Sequence, residues 1–250
     1  MNAHDELVPV LKRLRLSGIL NTLELRAEQA IDDKLTFVEF LYRLLQDEVE
    51  RRDANKLTRL IKTAKFEAHK TLEDFDFSFN PDIPREKIIE LGTCSFVERQ
   101  ENVLLVGPAG TGKSHVAQAL GHRACRAGYK TQYVAAHRLL TDLRAARADR
   151  SWDKKITALS SIDLLIIDDL GLRPLADDEP VDLYELIRRR YERGSLIITS
   201  NRAIDEWYGM FGDALLASSA MDRLLHHSHI VTLEGDSYRN PPSSRQPKTA

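Results

Sequence analysis

The sequence predicts an α/β fold: a parallel five-stranded sheet flanked by helices, preceded by a helical N-terminal domain. Three observations carry that prediction. Short aliphatic runs, such as Leu164-Leu165-Ile166-Ile167, have no polar residue alternating within them, as expected of strands buried on both faces. Helix-length patterns separate these runs, so strand and helix alternate. The run Gly107-Pro108-Ala109-Gly110-Thr111-Gly112-Lys113-Ser114 then sits between a strand and a helix. That context turns a Gly-x-x-x-x-Gly-Lys-Ser match into a phosphate site. Glycines let backbone N–H groups face an anion, and the helix N-terminus adds partial positive charge. Lys113 would reach the β- and γ-phosphates, and Ser114 would hold Mg²⁺. The expected ATP-binding set is these eight residues with His115.

The chain-wide numbers exclude several classes. A length of 250 residues suits one large domain or one domain with an appendage. A net charge of −2 argues against a uniformly basic DNA-coating protein, although local patches remain open. Cys94 and Cys125 stand far apart without ligand spacing, as small core residues would in a reducing cytoplasm. No long apolar run marks a signal peptide or a membrane span, so a cytoplasmic location is expected.

Taken in order, residues 1–70 are expected to form the helical domain. Leucines at 7, 11, 14 and 16 suit a helix interrupted near Ser17-Gly18, and a second helix runs to Ile31. Thr36 with Glu39 forms a capping box. The helix after it would carry Phe37, Phe40, Leu41, Leu44, Leu45 and Val49 on one side, with a possible break near Asp53-Ala54-Asn55. Its continuation is basic: Arg51, Arg52, Lys56, Arg59, Lys62, Lys65 and Lys70 oppose Asp53 and Glu67. This is either a solvated face or a surface for DNA phosphates.

Residues 71–101 form a linker. Phe75, Phe77 and Phe79 alternate, which would lay three rings on one face of an extended strap. Such a strap, just ahead of the phosphate-loop strand, would also line the nucleotide pocket. Ile88, Ile89 and Leu91 mark a short helix.

The core domain spans 102–239. Its strands are expected at Val103–Val106, Tyr129–Ala135, Leu164–Ile167, Leu196–Thr199 and Ile230–Leu233. Helices fill the gaps: the phosphate-loop helix to about Ala127, then His137 to about Arg147, Trp152 to Leu159, and Pro180 to Arg193. In open parallel sheets ligands sit off the carboxyl ends of strands. Gly107, Asp168 and Asn201 each follow such an end. Asp168 would hold Mg²⁺ through water, Asp169 would orient the attacking water, and Asn201 would bond that water or the γ-phosphate. Tyr129–Ala135 lies between the phosphate-loop strand and the acidic strand in sequence; sequence order alone leaves open whether a strand also separates them in space.

A second basic stretch runs from Gly121 to Lys155. Arg144, Arg147, Arg150, Lys154 and Lys155 are its candidate DNA contacts, with only Asp142, Asp149 and Asp153 opposing nearby. Arg144 and Arg147 share a helix face. His226, His227 and His229 sit where a helix passes into the last strand, so divergent side chains and no metal site are expected. The tail, 240–250, is expected to be disordered.

The segments Gly107–Ser114, Leu164–Asp169, Thr199-Ser200-Asn201 and Met221-Asp222-Arg223-Leu224 occur in the order found in AAA+ ATPases. The run from Thr71 to Arg239 resembles the IstB family, helper ATPases encoded beside a transposase in bacterial insertion sequences. Phe75-Asp76-Phe77, Leu170-Gly171 and Gly235-Asp236-Ser237-Tyr238-Arg239 carry that likeness, and residues 1–70 share it more loosely. DnaC-type helicase loaders share the core pattern. The resemblance implies ATP-dependent oligomerisation on double-stranded DNA, target-site selection and delivery of the site to a cognate transposase. It also implies that Arg223 is an arginine finger acting in trans, that Arg239 occupies a second sensor position, and that the small helical lid of many AAA+ proteins is absent. Asp169 stands where many AAA+ proteins have glutamate, which implies slow hydrolysis or a bridging water. Loading of a replicative helicase is the alternative, and a small-molecule P-loop kinase or a non-hydrolysing scaffold are the other classes.

Overall fold

The structure is a computed structural model and describes residues 3–240; the tail 241–250 lies outside the described residues. The chain divides after Arg59 into two compact units.

The first unit contains α1 (Ala3–Arg13), α2 (Ser17–Asp32) and most of α3 (Phe37–Ala64). The expected interruption is present, with Arg15 in the left-handed region at φ 57°. Gly18 follows because the backbone of Glu48 leaves no room for a Cβ, and Glu48 accepts the Gly18 N–H at 2.6 Å. Arg26 pairs with Asp47 at 2.6 Å. The capping box forms: Glu39 accepts from the Thr36 N–H at 2.8 Å, and Thr36 Oγ1 accepts from the Glu39 N–H at 3.3 Å. Two expectations change. The long helix is unbroken through Asp53-Ala54-Asn55. Its apolar side is only partly used: Leu44 is buried with Leu11, Ile19 and Leu23, whereas Phe37, Leu41, Leu45 and Val49 are exposed.

The second unit begins inside α3 at Leu60 rather than at 70. The physical reason is local. Phe66 packs into the core, and Gln118 accepts the N–H groups of Glu67 and Ala68 at 3.1 Å each. Then come α4 (Arg85–Leu91), α5 (Ser95–Glu98), β1 (Asn102–Val106), α6 (Lys113–Arg126), β2 (Thr131–Ala135), α7 (Ala136–Ala148) and α8 (Trp152–Ser160). They are followed by β3 (Leu164–Leu170), α9 (Glu179–Arg190), β4 (Ser195–Ser200), a 3-10 helix (Ile204–Met210), α10 (Ala214–Leu225) and β5 (Ser228–Thr232). The 3-10 helix carries no signal in the sequence pattern. The helix expected over 180–193 ends at Arg190, with Glu192 in the left-handed region before Gly194.

All strand pairs are parallel, in the order β2-β3-β4-β1-β5. A strand does separate the phosphate-loop strand from the acidic strand, and it is β4; Thr131–Ala135 lies at the sheet edge. The aliphatic runs lack alternation because each face of the sheet has its own core. Leu104, Leu165, Ile167 and Ile198 pack under α7, α9 and α10, while Val103, Leu105, Leu164, Ile166 and Ile197 pack under α4, α5 and α6. Each such side chain contributes about 1.5–3 kcal/mol of burial. Both faces together hold the carboxyl ends of β1, β4 and β3 in register.

The linker is not the expected extended strap. It folds as successive turns, with the N–H of Phe77 bonded to the carbonyl of Phe75 and that of Phe79 to Asp76. Pleat alternation therefore does not set the ring directions. Phe75 and Phe77 still reach the core, 4.7 Å apart edge to face, while Phe79 turns to Tyr238 at 4.9 Å.

Candidate active site

The phosphate loop sits off the end of β1, against two segments distant in sequence. Gly112 caps α6 at φ 100°, and a Cβ there would lie 2.5 Å from the Phe75 ring. Gly110, at φ 82°, is pressed by the Ser237 side chain, and its carbonyl accepts the Tyr238 N–H at 2.9 Å. Glycine is required at both places by φ and by close approach. The α6 N-terminus has no side-chain cap, which leaves its N–H groups available to an anion. His115 donates from Nε2–H to the Thr71 carbonyl at 2.8 Å and meets Phe75 edge to face, so it braces the loop from behind. Burial lowers its pKa first, against the hydrogen bond to Thr71.

Lys113 is buried, and its ammonium donates to the carbonyls of Gly107 at 2.7 Å and Pro108 at 2.6 Å. Burial pushes its pKa down; Asp169 and Asp168 oppose that shift. Ser114 follows it, half-buried, in the first turn of α6.

The acidic pair is built by an irregularity that the sequence does not announce. β3 does not stop at Ile167. It continues to Leu170 with a register shift between Ile167 and Leu170, and Asp169 takes φ 58°. A bulge re-aims consecutive side chains that a regular strand would send to opposite faces. Asp168 is buried with a donor on each oxygen: Tyr133 at 2.6 Å on Oδ2 and Thr199 Oγ1 on Oδ1. Thr199 Oγ1 also accepts the Asp169 N–H at 2.8 Å, so one hydroxyl sets both acids. Burial, and then the charge of Asp168, push the Asp169 pKa up, with Lys113 and Arg239 pulling it back. Asn201 follows β4, between the loop and the acids, and its side chain is exposed.

Sequence reasoning missed Tyr133, Thr199 and Asn80. The first two had a weak signal, since each is a hydroxyl within a strand. Asn80 had none, because its partner is 156 residues away: it donates to the Asp236 carbonyl at 2.9 Å and accepts the Asp236 N–H at 3.0 Å. That clamp holds the 234–239 segment on the loop. Arg239, exposed at its end, acts electrostatically on both Lys113 and Asp169.

Arg223 lies elsewhere. It is in the last turn of α10, and β5 then starts at Ser228 opposite Asn102, the first residue of β1. The phosphate loop begins at the other end of β1, about 16 Å along the strand. Arg223 donates to the Ser219 carbonyl at 2.8 Å and stands 5.7 Å from the Tyr184 ring centroid.

The basic stretches are less open than their sequences suggest. Arg144 pairs with Asp177 at 3.0 Å and Glu179 at 3.2 Å. Arg147 pairs with the buried Asp182 at 2.6 Å and stacks over Trp152 at 4.9 Å. Lys155 pairs with Asp142 at 3.1 Å. The opposing acids come mainly from the approach to α9, some 30 residues on, which a local charge count cannot see. Arg150 and Lys154 are exposed. In the first unit Arg51 bonds the Ser17 carbonyl, Arg52 pairs with Glu48 at 2.6 Å, and Lys56 and Arg59 are exposed. The histidines do not all diverge: His229 turns to Glu101 at 2.7 Å, but the rings of His226 and His227 lie 3.8 Å apart. Each follows its own backbone, with His227 in the left-handed region.

A parallel sheet with a strand inserted between the phosphate loop and the acidic strand, together with this loop, defines an AAA+ P-loop ATPase fold with N-terminal helices. The family model for the IstB-like ATP binding protein matches residues 9–246. The chain belongs to that family. An ATP-binding protein of an insertion sequence in Mycobacterium tuberculosis is 43% identical over 230 residues, 92% of each chain. The IS21 insertion-sequence ATP-binding protein of Pseudomonas aeruginosa is 40% identical over 234 residues, 94% of this chain and 88% of that one. The solved structure of DnaI superposes with a TM-score of 0.57 at 18% identity, over 66% of this chain and 92% of that one, which speaks for the fold alone. No helix among the described residues is long and apolar enough to cross a membrane.

Proposed function

We propose that this chain binds ATP·Mg²⁺, assembles on double-stranded DNA as a homo-oligomer, and promotes target selection and recruitment of a cognate transposase. In this reading Gly107–His115 hold the phosphates, Ser114 and Asp168 hold Mg²⁺, Asp169 and Asn201 place the attacking water, and Arg239 contacts the nucleotide in cis. Tyr133 and Thr199 occupy both Asp168 oxygens, which favours a metal bound through water over direct coordination. The raised pKa of Asp169 suits a group that must accept a proton.

The observation that carries the reading is the separation of Arg223 from Lys113 by the length of β1. An arginine that completes the site must then be supplied by a neighbour, so hydrolysis reports assembly. DNA would meet the exposed Arg150, Lys154 and Lys56 through phosphates, with Arg59, Arg51, Arg52, Arg144, Arg147 and Lys155 joining by exchanging internal partners. The test mixes two inactive variants, Lys113→Ala and Arg223→Ala, with ATP and duplex DNA. Recovery of ATPase activity in the mixture is expected, because one intact interface forms between them. No recovery, or full activity of Arg223→Ala alone, overturns the trans assignment. Duplex binding that ignores both ATP and added salt overturns the DNA reading.

A further inference from the structure

The edge of the sheet opposite the phosphate loop carries a group of side chains that ATP chemistry does not use. Glu192 follows α9, and His226 and His227 follow α10; all three are exposed, with one ligand atom from each lying within 4.8 Å of the others. We propose that Glu192, His226 and His227 form a binding site for a first-row transition-metal dication of the zinc type.

The chemistry of the donors supports this. Two imidazoles and one carboxylate are a donor set for tetrahedral zinc with an open fourth position. Zinc bonds of about 2.0–2.2 Å put the ligand atoms about 3.3 Å apart in a tetrahedron. All three side chains are exposed at the observed spacing.

A hydrogen bond on the far side of one imidazole also supports it. The Tyr191 hydroxyl lies 2.8 Å from His226 Nδ1. In the tautomer with its proton on Nδ1, His226 donates from that nitrogen to the Tyr191 oxygen. That leaves the lone pair of His226 on Nε2, the nitrogen free to take a metal. A hydrogen bond on the far ring nitrogen is the usual outer support of a ligating histidine. Glu192 makes no salt bridge among the described residues, so its carboxylate oxygens are available to the cation. The same shallow hollow is lined by Arg223, whose guanidinium is turned to Ser219. A metal here would sit beside the residue proposed to act across a subunit interface. The site itself does not depend on the ATPase reading.

The experiment titrates Zn²⁺ by calorimetry, and Co²⁺ by visible d–d absorption, into the chelator-treated full chain without a polyhistidine tag and without nucleotide. One equivalent bound at micromolar concentration, with the absorption of a tetrahedral Co²⁺ centre, is expected. The double variant His226→Ala/His227→Ala should abolish it, and Tyr191→Phe should weaken it about tenfold. His229→Ala, whose ring is committed to Glu101, should leave it unchanged. Absence of binding at micromolar metal, binding that survives the double variant, or equal loss in His229→Ala overturns the proposal. Because ATP is left out, failure here is separable from failure of the trans-ATPase test.

Discussion

The two edges of the sheet handle buried positive charge in opposite ways. At the amino edge Arg190 is 1% exposed, and its guanidinium donates to four carbonyls: Leu159 at 2.7 Å, Ile162 at 2.8 Å, Asp163 at 3.2 Å and Ser195 at 2.7 Å. Those bonds tie the α8–β3 turn to the start of β4, and burial pushes the Arg190 pKa down to about 10. At the carboxyl edge Lys113 is equally hidden but holds only two loop carbonyls, with Asp168, Asp169 and Arg239 acting on it from around the site. Arginine's fixed fork is spent on structure. Lysine's single rotatable ammonium can leave its carbonyls for phosphate oxygens. Charge held by a fixed set of carbonyls marks scaffold, and exchangeable charge marks a site.

The largest expected break in this contrast is Lys113→Ala. ATP hydrolysis should fall about 1000-fold, as when a charge-stabilising donor is removed from a reacting oxygen. Folding stability should hold or rise, because the desolvation that lowers the Lys113 pKa disappears. Phosphate release and urea melts on one preparation check both halves. A stability loss as large as the activity loss would make Lys113 scaffold too.

Arg190→Met is the reciprocal case. Four buried carbonyls lose their donor, so unfolding free energy should drop by about 3 kcal/mol. The folded fraction should keep its nucleotide affinity, since Arg190 stands at the far end of β4 from Asn201. Urea midpoints and nucleotide titrations of the folded protein measure the two quantities. Reduced affinity with unchanged stability would mean that the edges are coupled through β4.

How much was legible in advance follows the same division. The strands, the phosphate loop and the carboxyl-end placement of Gly107, Asp168 and Asn201 depend on contiguous residues, and aliphatic runs and glycine spacing report them directly. The scaffold charges were opaque. Arg190 sits in a run of three arginines that resembles a solvated helix end, and only the chain's return at Leu159, Ile162 and Ser195 makes it core. Arg144 and Arg147 misled for the same reason, since Asp182 arrives from a later helix. Phe75 and Phe77 were placed on the core by their spacing, but through turns rather than a strand. The bulge at Asp169 left no mark in the sequence, because a left-handed aspartate looks like any other.

Tyr133→Phe sharpens the comparison within the active edge. It removes one of the two donors on Asp168 while keeping the ring that packs under α6. The apparent affinity for Mg²⁺ in ATP hydrolysis should weaken about tenfold, the usual cost of losing an outer support of a metal ligand. Saturating Mg²⁺ should restore much of the rate, and stability should change little. A rate loss that Mg²⁺ does not rescue would assign Tyr133 to packing alone.

The smallest effect belongs to the amino edge again. Glu101 precedes β1 and joins Arg99 at 2.9 Å and His229 at 2.7 Å. The Arg99 hydrogen bond, ahead of that of His229 and against burial, takes its pKa from 4.5 to about 2. A depressed carboxylate stabilises the fold above its unfolded pKa and loses that contribution as pH falls through the folded one. The pair is partly solvated, so Glu101→Gln should cost about 1 kcal/mol near neutrality. The gap to the parent should narrow between pH 4.5 and about 2, the window those two values define. Urea midpoints from about pH 6 to about pH 3 test the sign. A gap that widens on acidification would mean that neutral Glu101 is the better partner, and that this edge, too, holds charge in reserve.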